Sequence, residues 1–87
     1  MTVLVDPALW PRHGKLWSHL VSDTSLAELH AFAAIAGIPD RAFGLDHYDV
    51  PDEMHERLVT LGAEPVGTRE LIRRLRASGL RIRARDR

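Results

Sequence analysis

The sequence predicts a small α/β (or α+β) domain in which three helices pack on a sheet of three or four strands. Short apolar runs rich in β-branched residues predict the strands. Three segments with apolar residues at helical spacing, each ending at a glycine, predict the helices. The length of 87 residues is that of one domain, and Leu, Ile, Val and Phe together supply 24 of them, enough for one small core. We expect the globular domain to span residues 1–79 and a basic tail to span residues 80–87.

The first two strands are expected at residues 2–5 and 16–21, where apolar residues follow one another. Asp6 and Pro7 end the first run. Residues 7–15 contain two prolines and Gly14, so a loop is expected there.

The first helix has the clearest start signal in the chain. Ser25, followed by Glu28 three residues later, is a capping-box pattern, and the helix is expected to continue to Ala36 with Gly37 as its C-cap. One face of this helix carries the residues that we expect to pack on the sheet: Leu26, Leu29, Phe32, Ala33 and Ala36.

The second half of the chain predicts shorter elements. Residues 41–45 fit a single turn, and residues 47–50 are expected to be extended or loop. Pro51 favours the first turn of a second helix, with Asp49 as a possible cap and its end at Gly62. A short inner strand is expected at residues 63–66, and Thr68 is expected to cap a third helix that ends before residue 79. The arginine-rich end alternates charged and other residues, which fits either an edge strand or a frayed basic tail.

Composition excludes several classes of protein. The absence of cysteine removes disulfides, thiol catalysis and thiolate metal sites. No apolar run reaches the length of a membrane span and the N-terminus lacks a signal-peptide pattern, so we expect a cytoplasmic protein without a membrane partner. Residues 1–66 contain ten acidic and four basic residues, whereas residues 67–87 contain two acidic and eight basic ones. This asymmetry fits a nucleic-acid partner and equally fits a homodimer.

Several separated motifs resemble one known family, the short bacterial and phage proteins catalogued as domain of unknown function 4031. The motifs are Val3-Leu4-Val5-Asp6, Gly14-Lys15-Leu16-Trp17-Ser18-His19, Asp23-Thr24, Glu28-Leu29-His30-Ala31-Phe32-Ala33, His47-Tyr48-Asp49 and Arg69-Glu70-Leu71. The resemblance covers roughly residues 1–79 and implies a small stand-alone domain. It brings no activity, cofactor or catalytic residue to this chain, and its phage members are compatible with a nucleic-acid setting.

Acidic residues follow the predicted strands. Asp6, Asp23 and Asp49 are candidate ligands for Mg²⁺ or Mn²⁺, because hard cations prefer oxygen ligands and ligands often sit at the carboxyl ends of strands. The alternative is structural: Asp6 shapes a turn before a proline, and Asp23 and Asp49 each lie where a helix cap is needed.

Histidines add a second set of candidates. His19 and His47 are candidate metal ligands or general bases, and with Asp49 they form a two-His, one-carboxylate set suited to Zn²⁺ or Fe²⁺. His30 is a candidate for the same roles. The alternative for each is a hydrogen-bonded structural histidine. Alternation along an extended segment would bury Tyr48 and turn His47 and Asp49 together toward a cleft.

Arginines and tryptophans offer binding surfaces. Arg69, Arg73 and Arg76 lie on one stripe of the third helix and are candidates for phosphate or anion binding, Arg69 first because it lies in the first turn. The alternative is a solvated face in which Glu70 pairs with Arg74. The two tryptophans, Trp10 and Trp17, either stack on a nucleic-acid base or pack in the core or a dimer contact.

The leading functional hypothesis is a polar-site protein that binds or acts on a phosphorylated ligand or nucleic acid. In its enzymatic form His19, His47 and Asp49 hold a divalent metal or position a water, while Arg69 holds phosphate. The alternatives are a non-catalytic nucleic-acid-binding module that uses the arginine stripe, and a protein-interaction module such as a homodimer or a partner subunit.

Overall fold

A computed structural model describes residues 2–82, which form one mixed sheet of six strands and three α-helices. The strands are β1 (Val3–Val5), β2 (Trp10–Arg12), β3 (Lys15–Ser22), β4 (Phe43–Gly44), β5 (His47–Pro51) and β6 (Glu64–Pro65). The helices are α1 (Leu26–Ala36), α2 (His55–Thr60) and α3 (Thr68–Ser78). Short 3₁₀ turns at Asp40–Ala42 and Asp52–Met54 precede β4 and α2.

The eight-residue strand β3 is the centre of the sheet. The strand order is β4-β5-β3-β1-β6, and β2 pairs with the first part of β3 while β1 pairs with its last part. All pairs are antiparallel except β1 with β6, which is parallel. Consequently β3 pairs with three other strands. Side chains in the middle of β3 lie near the ends of β1 and β2, because these two strands pair with its two halves.

The two faces of the sheet carry different cores. On one face, α1 and α2 cover a cluster that includes Val5, Leu20, Leu29, Val50 and Leu58, all fully buried. On the other face, α3 packs on a smaller cluster formed by the fully or almost fully buried side chains of Leu4, Val21, Leu71 and Leu75. The rest of this second face, along β3 and β5, borders the cleft that is described below.

The expectation of three or four strands was too low, chiefly because residues 7–15 contain a hairpin rather than a loop. His13 and Gly14 both have positive φ (53° and 74°), which is the conformation of a two-residue hairpin turn between β2 and β3. Pro11 is tolerated because β2 is an edge strand that pairs only with β3. The two-residue strand β4 is the other addition, and it lies where a single turn was expected at residues 41–45, whereas β6 is the strand that was expected at residues 63–66.

The first helix follows its sequence signals except for half of the capping box, because the Ser25 amide donates to Ser22 Oγ and Glu28 accepts from Ser22 instead. Ser25 is the N-cap, its hydroxyl accepts from the Glu28 amide at 3.0 Å, and Gly37 ends the helix at φ 79°. Burial of Leu29, Ala33 and Ala36 confirms the predicted face.

Three predicted caps were wrong. Asp49 and Pro51 belong to β5, so α2 begins later, at His55, without a side-chain cap. Gly67 rather than Thr68 is the N-cap of α3, because the Thr68 hydroxyl donates to Asp6 instead. Asp23 caps no helix, since Ser25 takes that role in α1.

The predicted edge strand or tail at the arginine-rich end falls mostly on residues 83–87, which lie outside the described residues. Within residues 2–82, no helix combines the length and apolar character needed to cross a membrane.

Asp23 connects Thr2, the residue before β1, to Arg74 of α3. Its Oδ1 accepts from the Thr2 amide at 2.9 Å, and its Oδ2 accepts from Arg74 Nη2 at 2.7 Å. Burial alone would raise the pKa of Asp23, but the Arg74 guanidinium and hydrogen bonds from Thr2 and Thr24 lower it to about 2. The ionised carboxylate therefore contributes to the stability of the fold.

Replacing Asp23 with asparagine is expected to reduce the free energy of unfolding by about 1–2 kcal/mol at neutral pH. Because the folded pKa lies below the usual 3.8, this contribution is complete above that value and disappears as pH falls to about 2. Urea unfolding at neutral pH and at about pH 3 measures the difference, which should shrink at the lower pH. The exposed Glu56→Gln exchange is the control, and equal neutral-pH stability of Asp23→Asn and the wild type would contradict the prediction.

Candidate functional site

A cleft of about 520 Å³ lies between the second face of the sheet and α3. Its polar lining comes from β2, β3, β5, the start of α3 and the segment after α3, and its apolar lining comes from β2, β3 and α3. The lining residues are Trp10, Pro11, Arg12, Trp17, His19, Val21, His47, Asp49, Thr68, Leu71, Ile72, Leu75 and Arg81.

Strand alternation and register bring three of the predicted site residues into this cleft. His19 of β3 lies directly opposite Asp49 of β5 in the antiparallel pair. Tyr48 is 2% exposed in the core on the other face, so His47 and Asp49 both point to the cleft side, as the alternation predicts.

His19, His47 and Asp49 form a group of possible metal ligands. Each offers one ligand atom, a ring nitrogen or a carboxylate oxygen, and these atoms all lie within 4.8 Å of one another. All three residues are partly buried. Two imidazoles and one carboxylate around one point are the donors that Zn²⁺ and Fe²⁺ accept in sites that keep further positions open.

His19 is held by a fully buried carboxylate. Asp6 Oδ1 accepts from the His19 amide at 2.6 Å, and its Oδ2 lies 2.9 Å from His19 Nδ1 and 3.0 Å from the Thr68 hydroxyl. Trp10 Nε1 also lies 3.1 Å from Nδ1. The indole N–H could donate only to an unprotonated Nδ1, so these two hydrogen bonds exclude each other. We assign the Nδ1 proton to the bond with Asp6, because the bond to a carboxylate is the stronger one. Nε2 of His19 then keeps its lone pair for a ligand.

His47 is held in the same way by a second buried carboxylate. Its Nδ1 lies 2.7 Å from Asp46 Oδ1, and its Nε2 lies 3.2 Å from Asp49 Oδ1. Hydrogen bonding to Asp49, and then to Asp46, raises the pKa of His47 although burial opposes this. In return the hydrogen bond from His47 lowers the pKa of Asp49.

Asp46 receives further hydrogen bonds from the segment after α3. The Ile82 amide donates to Asp46 Oδ2 at 2.9 Å, and Arg81 Nη1 lies 3.5 Å from the same oxygen. Burial alone would raise the pKa of Asp46, but the hydrogen bonds from His47 and Ile82 outweigh this effect and lower it. Asp46 thus stays ionised and fixes the His47 ring.

The same hydrogen-bond pattern occurs at His19 and at His47. Each histidine donates from Nδ1 to a buried carboxylate, which leaves Nε2 for the cleft side, and histidine ligands of metals are commonly oriented in this way. A cation among His19, His47 and Asp49 would take the place of the proton between His47 and Asp49. The donor set and its supporting carboxylates therefore fit a divalent transition metal.

The structure places the other predicted site residues elsewhere. Asp6 is not part of the ligand group but orients His19. Asp23 pairs with Arg74 outside the cleft. The exposed Arg69, Arg73 and Arg76 are on α3 but do not line the cleft.

The prediction of an ion pair between Glu70 and Arg74 was wrong. Glu70 pairs with Arg73, and Arg74 pairs with Asp23 and Glu64. His30 bonds to Tyr48 Oη at 2.7 Å, so it takes the structural role that was weighed for it.

Sequence reasoning missed Asp46, Arg12 and Arg81 as site residues. Asp46 adjoins His47 in the sequence, which was a usable signal, whereas Arg12 lay in a supposed loop and Arg81 in a supposed tail. The two tryptophans line the cleft, and Trp10 is 46% exposed, so the expectation of core packing was wrong for Trp10.

Comparison with known proteins gives one match. The family model described as Protein of unknown function (DUF4031) matches residues 3–78. Neither a curated protein nor a solved structure matches the chain.

Proposed function

We propose that this chain, which belongs to the DUF4031 family, binds a divalent transition metal ion and acts with it on a phosphorylated ligand. The observation that carries the proposal is the convergence of His19, His47 and Asp49, with ligand atoms within 4.8 Å of one another. Its support is the pair of buried carboxylates, Asp6 and Asp46, that orient the two rings.

Arginines next to the ligand group favour an anionic ligand. A continuous row of polar contacts runs from Arg81 through Asp46, His47 and Asp49 to Arg12, whose Nη2 lies 3.4 Å from Asp49 Oδ2. Both guanidinium groups line the cleft. Guanidinium groups bind phosphate oxygens in pairs, so one phosphoryl group can contact the cation and an arginine together.

The proposed chemistry is hydrolysis of a phosphoester. His19, His47 and Asp49 would hold the divalent ion, which would supply polarisation of a phosphoryl oxygen and a lowered pKa of bound water. The chain itself orients the ligand atoms through Asp6 and Asp46 and neutralises phosphate charge through Arg12 and Arg81. Nucleic acid remains a predicted partner, since Arg69 and Arg76 are exposed on α3, and a homodimer remains the alternative prediction.

Calorimetric titration of chelator-treated protein tests the metal site. We expect one Zn²⁺ or Mn²⁺ to bind per chain and Mg²⁺ to bind more weakly, because imidazole ligands favour transition metals over Mg²⁺. His19→Ala should lower Zn²⁺ affinity at least about 100-fold, since it removes one of three ligands. His55→Ala, on α2 and outside the cleft, is the matched control.

Two results would count against this proposal. Absence of heat with every one of these ions removes the metal site, and equal affinities of His19→Ala and the wild type place the ion elsewhere. Turnover of a chromogenic phosphomonoester or phosphodiester by the wild type and not by His19→Ala supports the enzymatic form. Metal binding without turnover restricts the function to ligand binding.

A further inference from the structure

We infer that the ligand of this cleft is a nucleoside phosphate, with its base on Trp10 and its phosphate between the arginines. The inference rests on the proposed function for the position of the metal, and it adds the class of ligand. It starts from Trp10, whose side chain lines the cleft and yet is 46% exposed. A half-exposed tryptophan in a cleft offers a large flat surface to a ligand.

Trp10 lies against the ligand group through a ring contact with His19. Its indole Nε1 lies 3.1 Å from His19 Nδ1, and the two rings meet edge to face with centroids 5.3 Å apart. Among residues 2–82, His19 is the only aromatic residue in ring contact with Trp10. A ring that lies beside a metal ligand can stack on a planar group whose phosphate reaches the metal.

The neighbouring tryptophan has a different role. Trp17 lies opposite Trp10 in the hairpin and donates from Nε1 to the Arg12 carbonyl at 2.8 Å. The Arg12 guanidinium carbon sits 5.0 Å from the centre of the Trp17 ring. Trp17 therefore supports Arg12 by a cation–π contact, and Trp10 is left as the stacking surface.

The phosphate position follows from the two arginines. Arg12 lies 3.4 Å from Asp49, and Arg81 lies 3.5 Å from Asp46, so within the described part of the chain each makes only one long contact with a carboxylate. Each guanidinium has five N–H donors, and most of them are therefore available for a ligand. A cleft of about 520 Å³ has the size of a small-molecule site and accommodates one nucleotide.

The base is the part of the ligand that distinguishes this inference from a general phosphate site. Inorganic phosphate or a sugar phosphate would engage the arginines and leave Trp10 unused. Stacking does not depend on which base is present, so a free nucleotide and the phosphorylated end of a nucleic acid share the same chemistry. The probes below separate these two sources.

The test compares adenosine monophosphate, ribose 5-phosphate and an oligonucleotide with a 5′-phosphate, each with Zn²⁺ and with chelator. The chain has two tryptophans and both line the cleft, so intrinsic fluorescence reports on its occupation. We expect adenosine monophosphate to bind about ten-fold more tightly than ribose 5-phosphate, which is the typical effect of stacking one base. If the protein binds the mononucleotide more tightly than the oligonucleotide, the ligand is a free nucleotide. If it binds the oligonucleotide more tightly, the ligand is the phosphorylated end of a nucleic acid.

Substitutions test which residue binds the base of the ligand and which binds its phosphate. Trp10→Ala should make adenosine monophosphate and ribose 5-phosphate equal, whereas Trp10→Phe, which keeps an aromatic ring, should retain most of the difference. Arg81→Ala should weaken both ligands about ten-fold and leave their ratio unchanged. Arg57→Ala, an exposed arginine of α2, is the control.

Equal affinities of the two phosphates for the wild type would overturn this inference, and so would the absence of adenosine monophosphate binding. A parallel Zn²⁺ titration of each variant separates the two proposals. If Zn²⁺ binds and the base has no effect, the nucleoside assignment fails while the metal site stands. If Zn²⁺ does not bind, the metal site fails, and the comparison made in chelator still decides the role of Trp10.

Discussion

Replacing Asp6 with asparagine is expected to abolish tight metal binding while the protein remains folded. Asp6 is fully buried and meets His19 twice, through the amide at 2.6 Å and through ring Nδ1 at 2.9 Å. The amide of His19 is an obligatory donor, so the one oxygen that the asparagine side chain retains must face it. The new amide nitrogen must then face Nδ1.

That exchange reverses the hydrogen bond on the His19 ring. An amide N–H donates to Nδ1, so the ring proton moves to Nε2, which is the nitrogen that would bind the metal. A protonated nitrogen has no lone pair for a cation. We therefore expect a loss of metal affinity of about 100-fold or more, at the upper end of what is found when outer hydrogen-bond partners of metal ligands are changed.

Two measurements check this prediction. Calorimetry gives the metal affinity, and ¹⁵N chemical shifts of the His19 ring show which nitrogen carries the proton. Asp23→Asn is the matched control, because it makes the same exchange outside the cleft and should leave the affinity unchanged. Wild-type affinity in Asp6→Asn, or a His19 proton that stays on Nδ1, would contradict the orienting role of Asp6.

The parts of the fold that the sequence predicts well are those with local signals. The first helix follows from Ser25, Glu28 and Gly37, which act within one turn of its ends. The hairpin of β2 and β3 was missed because Pro11 argues against a strand, whereas an edge strand tolerates it. The turn residue His13 adopts a positive φ that is more usual for asparagine or glycine.

The candidate site also has one part that local sequence patterns predict and another part that they do not. Alternation within β5 places His47 and Asp49 on one face without any knowledge of the fold. The position of His19 opposite Asp49 depends on the register between two strands separated by a helix, which no local pattern reveals. Arg81 and Ile82 reach Asp46 across 35 and 36 positions of the chain, so their contribution to the site was not predictable.

Binding of Zn²⁺ is expected to raise the melting temperature by roughly 15–30 °C. An ion present at about 1,000 times its Kd stabilises the folded state by about 4 kcal/mol, and each kcal/mol shifts the melting temperature of a domain of this size by several degrees. The three ligands come from β3 and β5, and their supporting carboxylates come from the end of β1 and from Asp46. The ion therefore connects strands that are distant in the sequence.

Asp49→Asn should remove most of this rise, because a neutral amide is a much weaker ligand than a carboxylate. It should also lower the melting temperature without metal, because the ionised Asp49 contacts His47 and Arg12 in the folded state. Asp52→Asn, an exposed acid just beyond β5, is the control and should keep the full rise. Thermal unfolding of each protein with Zn²⁺ and with chelator gives the comparison. A rise of the same size in Asp49→Asn would mean that Zn²⁺ binds at other residues, such as the exposed His13, and that His19, His47 and Asp49 interact only with one another.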